Sequence, residues 1–314
     1  MVYGIIALAL LALSVKGYCG KRISCYASST ADALLFNLLR MVFCIAIGVL
    51  FVFFEGAQGS LLPEWQMLLI CALSGLANAA FLVGWLLAIQ KNSMVLVDVG
   101  LTMGSLLPAV LCACFFGEAI SVPKMLGFAM ILGATVILAG GKPKTASQSS
   151  ASGLILLIFA AIGDGVSGFA QQLYKQFYTE AGALTHNVFY PKSVFHVYTF
   201  FFAAVALLLF WAGTLIRNRK TNEEGTRATK AHLSIGIVLH ILTMAICLFA
   251  ANYLQTVATA DLGMPSQVLY PIIKGGCLIT VTFTAMLFFG ERITRRSLLG
   301  SAVAMLGIVS MSLL

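Results

Sequence analysis

The sequence predicts an all-α integral membrane protein of ten transmembrane helices, arranged as two inverted five-helix repeats. Three observations carry this. Hydrophobic residues make up 60% of the 314 positions and charged residues only 10%, with a mean hydropathy of +0.99, against about 25% charged in a soluble domain. The apolar residues come in continuous runs of about 20, the length that crosses a bilayer as a helix, and not in the period-two alternation of a membrane barrel. The chain also repeats itself: 93–118 (SMVLVDVGLTMGSLLPAVLCACFFGE) and 266–291 (SQVLYPIIKGGCLITVTFTAMLFFGE) align without gaps, 173 positions apart. Val95/Val268, Leu96/Leu269 and both Phe-Phe-Gly-Glu tetrapeptides fall in register, which continues through Leu126-Gly127 and Leu299-Gly300.

In chain order the runs are 2–20, 33–54, 66–89, 94–116, 124–141, 153–174, 187–215, 233–257, 264–289 and 297–314. The first lacks the basic n-region of a signal peptide, since Lys16, Lys21 and Arg22 follow the apolar stretch, so it reads as a retained span. Residues 1–141 form the first five-helix unit and 153–314 the second. The connection 142–152, rich in Ser, Lys and Pro, is the linker between them. The longest polar loop, 217–230, reads as a solvated connector. Five spans per unit is an odd number, so the second unit enters the membrane upside down relative to the first.

The formal charge of +8 reads as topology signals at helix ends, with no polar domain to bind nucleic acid. Thirteen Lys and Arg lie in the connections after the odd-numbered spans, against Lys124, Lys175 and Lys192 on the other face. The positive-inside rule then puts the odd connections in the cytoplasm and both termini outside, in a multi-pass protein of the plasma or inner membrane. The eight cysteines sit mostly inside apolar runs as small packing residues, and no metal or other cofactor is expected. No Gly-x-x-x-x-Gly-Lys-Ser/Thr loop is present.

Ionisable residues inside the runs are the candidate site, because burying a charge in a membrane is costly unless it is paired or faces water. Lys274 lies about ten residues into the ninth run, too deep to reach the boundary easily. Gly275 and Gly276 beside it leave room for a ligand or a close helix. Lys274 serves either a substrate or a structural ion pair with Asp98 or Asp164. Asp164 sits among Gly163, Gly165 and Gly168, which loosen the helix or permit a close crossing. Asp98, nearer a span end, is a cavity residue or merely interfacial. Lys16, near the end of the first run, is expected to snorkel to the boundary. Arg40 either recognises an anionic group or staples helices. Trp85, Tyr253, Tyr270, Asn78 and Asn252 are candidate cavity lining. Pro271 lacks an N–H and clashes with the preceding turn, so a kink or hinge is expected there, with Gly275 and Gly276 completing it. His196 and His240 read as polar packing, and Glu118 and Glu291 as hinge residues that close their spans.

Pro265 to Leu314 resembles the last two helices of small multidrug resistance transporters, in its Pro start, Tyr270, Gly275, the Phe288-Phe289-Gly290 hinge and Gly300. The whole chain resembles the drug/metabolite transporter superfamily, EamA type: ten spans in two halves, each with a Gly-Glu pair before a small-residue helix. Arg40 matches an Arg common at this point in such chains. The resemblance implies transport of a small solute by alternating access, without ATP, with a proton or counter-substrate as possible coupling partner. The first span lacks the membrane-embedded Glu on which small multidrug transporters rely, and Asp164 in the sixth is only roughly aligned with it.

Two functions remain open at this stage. Lys274 and Arg40 opposed by Asp164 or Asp98 suit an amino acid, organic acid or sugar derivative, while Asp164 as an exchange site suits proton-coupled efflux of cationic drugs or amines. A non-transporting scaffold or receptor is the alternative of another class. The expected partners are the solute and the lipid bilayer, with the protein a monomer or homodimer.

Overall fold

The computed structural model describes residues 2–27, 29–55, 61–92, 94–116, 121–139, 151–178, 190–220, 234–264, 266–290 and 294–312. Glu118, Glu291, the linker residues 142–150 and the loop residues 221–230 lie outside these. Among the described residues the chain is helical throughout. The helices are α1 (Val2–Ser24), α2 (Thr30–Glu55), α3 (Trp65–Lys91), α4 (Met94–Thr102), α5 (Leu106–Phe116), α6 (Val122–Ala139), α7 (Ala151–Tyr178), α8 (Lys192–Lys220), α9 (Ile235–Ala260), α10 (Ser266–Phe289) and α11 (Arg295–Ser312). A single 3₁₀ turn, Met103–Ser105, joins α4 to α5, so that Met94–Phe116 forms one span. Among the described residues eight helices are long and apolar enough to cross a membrane, and α6 and α11 contain shorter apolar stretches.

Local chemistry sets several ends. Ser29 and Asp32 cap α2 reciprocally: the Asp32 amide donates to Ser29 Oγ at 3.1 Å and the Ser29 amide to Asp32 Oδ2 at 3.0 Å. Ser234 Oγ accepts from the Ile237 amide to start α9. Gly263 and Gly290, at φ of 64° and 60°, follow α9 and α10 in the left-handed conformation that only glycine adopts freely.

The outer surface is apolar. Phe53, Phe54, Leu209, Phe210 and Ile235 are 65–88% exposed, which suits lipid and not water. Lipid also removes the hydrophobic drive between helices, so close approach and hydrogen bonds must hold the bundle together. The crossings of α3 show how. A Cβ on Gly163 of α7 would lie 2.6 Å from the Ala77 carbonyl oxygen, one on Gly84 2.9 Å from that of Leu156, and one on Gly75 2.6 Å from that of Thr199 in α8. The three glycines of the α7 stretch therefore serve crossings: Gly163 faces α3, Gly165 meets the Gly104 carbonyl, and Gly168 meets Pro108.

Contacts at helix ends fix the direction of each element. Lys21 Nζ donates to the Ile89 carbonyl at 3.0 Å and Gln90 Nε2 to those of Ser24 and Ala27, so α1 and α3 end at one face, called here the near face. Gly153 beside Asn92 starts α7 there, and Phe288 against Tyr18 ends α10 there. At the far face, Lys192 pairs with Asp261 at 3.0 Å, the Glu64 amide donates to Tyr190 Oη, and Phe116 packs on Phe177. There α2, α5, α7 and α9 end and α3 and α8 begin. Ser310 Oγ on the Pro123 carbonyl joins the end of α11 to the start of α6 at the same face. The most extensive packings are α3 with α7, α6 with α11, α2 with α8 and α1 with α9.

Candidate functional site

Six spans, α1, α3, α4–α5, α7, α9 and α10, surround two cavities. The near cavity holds about 530 Å³ of empty space, mouth included, and is lined by Lys16 and Gly17 of α1, Trp85 and Ile89 of α3, Asp98 of α4, and Lys274 and Cys277 of α10, among others. The far cavity, about 590 Å³, is lined by Asn78 of α3, Ser105 and Pro108, Asp164 and Gln171 of α7, Asn252 and Gln255 of α9, and Tyr270 of α10. Leu13, Lys16, Phe81 and Lys274 belong to both. The elements that line both cavities, α1, α3, α4–α5 and α10, agree on the order: residues closer to the near face line the first, those closer to the far face line the second, and these four stand between. The partition therefore consists of two lysines, an aromatic ring and a leucine at mid-depth.

Lys274 Nζ donates to Asp164 Oδ2 at 2.5 Å, with both side chains about one-fifth exposed. Of the two acids left open as its partner, Asp164 is the one it meets. Asp164 is placed by the crossing of α7 over the 3₁₀ turn, where a Cβ on Gly104 would touch the Ala161 carbonyl at 2.5 Å and Asp164 Oδ2 at 3.1 Å. Asp98 lies not at the boundary but on the near cavity, and its Oδ2 is buried without a hydrogen-bond partner.

Lys16 corrects the expectation of snorkelling. It is 8% exposed, and its ammonium lies over Phe81 and Trp85, at 5.3 and 5.6 Å from the ring centroids. The uninterrupted apolar stretch of the first run stops at Val15, but the helix continues to Ser24, so Lys16 is well inside α1. Arg40 does not reach either cavity. It is 1% exposed, gives Nη2 to Asn37 Oδ1 at 2.5 Å, leaves Nε and Nη1 without a partner, and sits 5.8 Å from the Trp85 ring. Trp85 thus carries a cation at Lys16 and another at Arg40.

Tyr270 Oη donates to Gln171 Oε1 at 2.7 Å, and Asn78 Nδ2 to Ser167 Oγ at 2.9 Å, fixing polar groups of the far cavity. Asn252 lines that cavity but Tyr253 does not. Tyr253 stacks on Phe249 and donates to Glu55, which also accepts from the amide and hydroxyl of Ser193 at the start of α8. His196 is fully buried, 3.2 Å from Thr256 Oγ1.

Gly275 and Gly276 face helices and not open space: a Cβ at 275 would meet Ile308 of α11 and one at 276 would meet Leu10 of α1. Pro271 falls within α10, which is unbroken α-helix from Ser266 to Phe289. The departure from α-helix lies in the corresponding span of the first half, at Met103–Ser105, ahead of Pro108.

Ser105, Ser167, Gln171 and Gln255 were not among the sequence candidates. A signal was present, since Asp164, Ser167 and Gln171 share one helix face at i, i+3, i+7, as do Leu248, Asn252 and Gln255 at i, i+4, i+7.

The fold and site define a multi-pass, all-α membrane protein with a charged partition at its centre. No protein-family model and no curated protein matches the chain. A solved structure titled only "Crystal structure of protein" aligns over 99% of this chain and 98% of its own, at 15% identity and a TM-score of 0.57, and so shares the fold.

Proposed function

We propose that the protein is a secondary transporter of the drug/metabolite transporter type, carrying a small polar solute by alternating access. The observation that carries this reading is the pair of cavities that extend toward opposite faces and meet at Lys16 and Lys274. A site at mid-depth with a vestibule on each side is what alternating access requires. The helix directions support two inverted units, because the spans five apart run oppositely in every pair. The chief packings support them too: exchanging the units turns α3 on α7 into α9 on α1 and leaves α2 on α8 and α6 on α11 unchanged. Asp164 is engaged by Lys274, which favours a solute bearing an anionic group over exchange of a cationic drug at Asp164.

The protein purified and reconstituted into proteoliposomes, with and without a pH gradient, is expected to show saturable uptake of a solute from a panel of labelled amino acids, organic acids and sugar derivatives. Absence of flux for every class would sink the transport reading.

Orientation follows from charge. Lys21, Arg22, Lys91, Arg295 and Arg296 all belong to the near face, which supports a cytoplasmic near face with both ends of this chain on the opposite side. A reporter active only in the cytoplasm, fused after Leu314, is expected to be silent; an active fusion would reverse the assignment.

A further inference from the structure

We infer that the near cavity recognises a zwitterion, a molecule with an ammonium and a carboxylate on an apolar body, with Lys16 taking the carboxylate and Asp98 the ammonium. The inference rests on the transport reading, in that it takes this cavity as the solute's seat, and it narrows the solute to one class.

Four charged side chains line the two cavities. Lys274 and Asp164 satisfy each other at 2.5 Å. The remaining two face the near cavity and do not pair: among the described residues no ion pair or hydrogen bond reaches the Lys16 ammonium, which lies over the Phe81 and Trp85 rings. Asp98 Oδ2 is buried and unpartnered on the same cavity. A buried charge without a partner is costly, and two of opposite sign that do not meet are complementary to a ligand that bridges them. A simple carboxylate would satisfy Lys16 and leave Asp98 orphaned, and a simple amine would do the reverse. Only a molecule carrying both groups satisfies both. Apart from Lys274, which is engaged by Asp164, and Cys277, the rest of the lining, including Trp85, Met94, Val97 and Leu101, is apolar and suits the solute's body.

The test uses the full chain in detergent with two matched sets of probes: phenylalanine, phenylpropanoate and phenethylamine, then leucine, isocaproate and isoamylamine. In thermal-shift titrations the amino acid of at least one set is expected to raise the unfolding temperature, with its carboxylate and amine counterparts weaker by about tenfold or more. Lys16→Met is expected to abolish the response. Asp98→Asn, which keeps the side-chain shape, is expected to bring the amino acid down to the level of the carboxylate. The inference is overturned if the carboxylate or the amine alone matches the amino acid on the native protein, if Asp98→Asn leaves the preference intact, or if neither set gives a response. Flux separates the two readings. An amino acid that binds but is not carried into proteoliposomes removes transport and keeps the site, while equal carriage of phenylpropanoate and phenylalanine keeps transport and removes the zwitterion.

Discussion

Lys274→Met should stop solute flux and lower the thermal stability of the purified protein, while the double variant Lys274→Met, Asp164→Asn should recover the stability without the flux. The single change leaves the partly buried Asp164 carboxylate at mid-depth with its ammonium partner at 2.5 Å removed. Breaking one side of a buried pair costs about 3–5 kcal/mol, because the surviving charge is desolvated and uncompensated. Removing both charges avoids that penalty, and in other proteins such replacement is often close to neutral. Differential scanning of the three proteins, beside flux in proteoliposomes, separates a structural ion pair from a transport element. Full flux in the stable double variant would remove the pair from the solute's path.

Gly163→Val should give no monodisperse protein, whereas Gly133→Val in α6 should behave like the native chain. At 163 the new Cβ would fall 2.6 Å from the Ala77 carbonyl oxygen and 2.7 Å from the Phe81 nitrogen, both backbone atoms that no rotamer can move aside. At 133 nothing lies within 4 Å. The comparison controls for the change in helix propensity from glycine to valine, which the two sites share. Size-exclusion profiles in detergent check it, and a native-like Gly163→Val protein would mean that α3 and α7 are not in backbone contact.

The helices were legible in the sequence because a bilayer demands long apolar runs, and composition alone reports them. The depth of the charged residues was less so, since depth had been counted along apolar runs. Lys16 looked terminal because the run stops where charge begins, yet α1 carries on through Lys21 and Arg22. Asp98 looked interfacial because it lies close to the α3–α4 junction. The inner side of that junction is buried, with Ile89, Asn92 and Met94 at 1–3% exposure while Lys91 is exposed, so nearness to a span end does not by itself mean water. Asn252 and Tyr253 are neighbours in the sequence, but adjacent positions on a helix point about 100° apart, and only Asn252 faces the cavity. Which acid would pair with Lys274 depended on the α4–α7 crossing, a tertiary fact with no local signature. The polar faces of α7 and α9, by contrast, could have been read from spacing.

The crossings of α3 also decide which parts of the wall are free to shift. α3 meets α7 and α8 backbone to backbone at Gly75, Gly84 and Gly163, and α7 meets the α4–α5 turn in the same way at Gly104 and Gly165. Such contacts leave no side chain to re-pack, so these elements form one rigid keel that carries Asp98, Asp164, Phe81 and Trp85. α1 and α10 meet their neighbours through side chains instead: Gly17 against Met94, Gly275 against Ile308, Gly276 against Leu10. Side chains can exchange rotamers, and helices so joined can slide. Both lysines of the partition belong to these two helices packed through side chains, and both acids to the elements packed backbone to backbone. Any stroke that opens one cavity and shuts the other would therefore carry the cations past stationary anions, as a key moves past fixed pins.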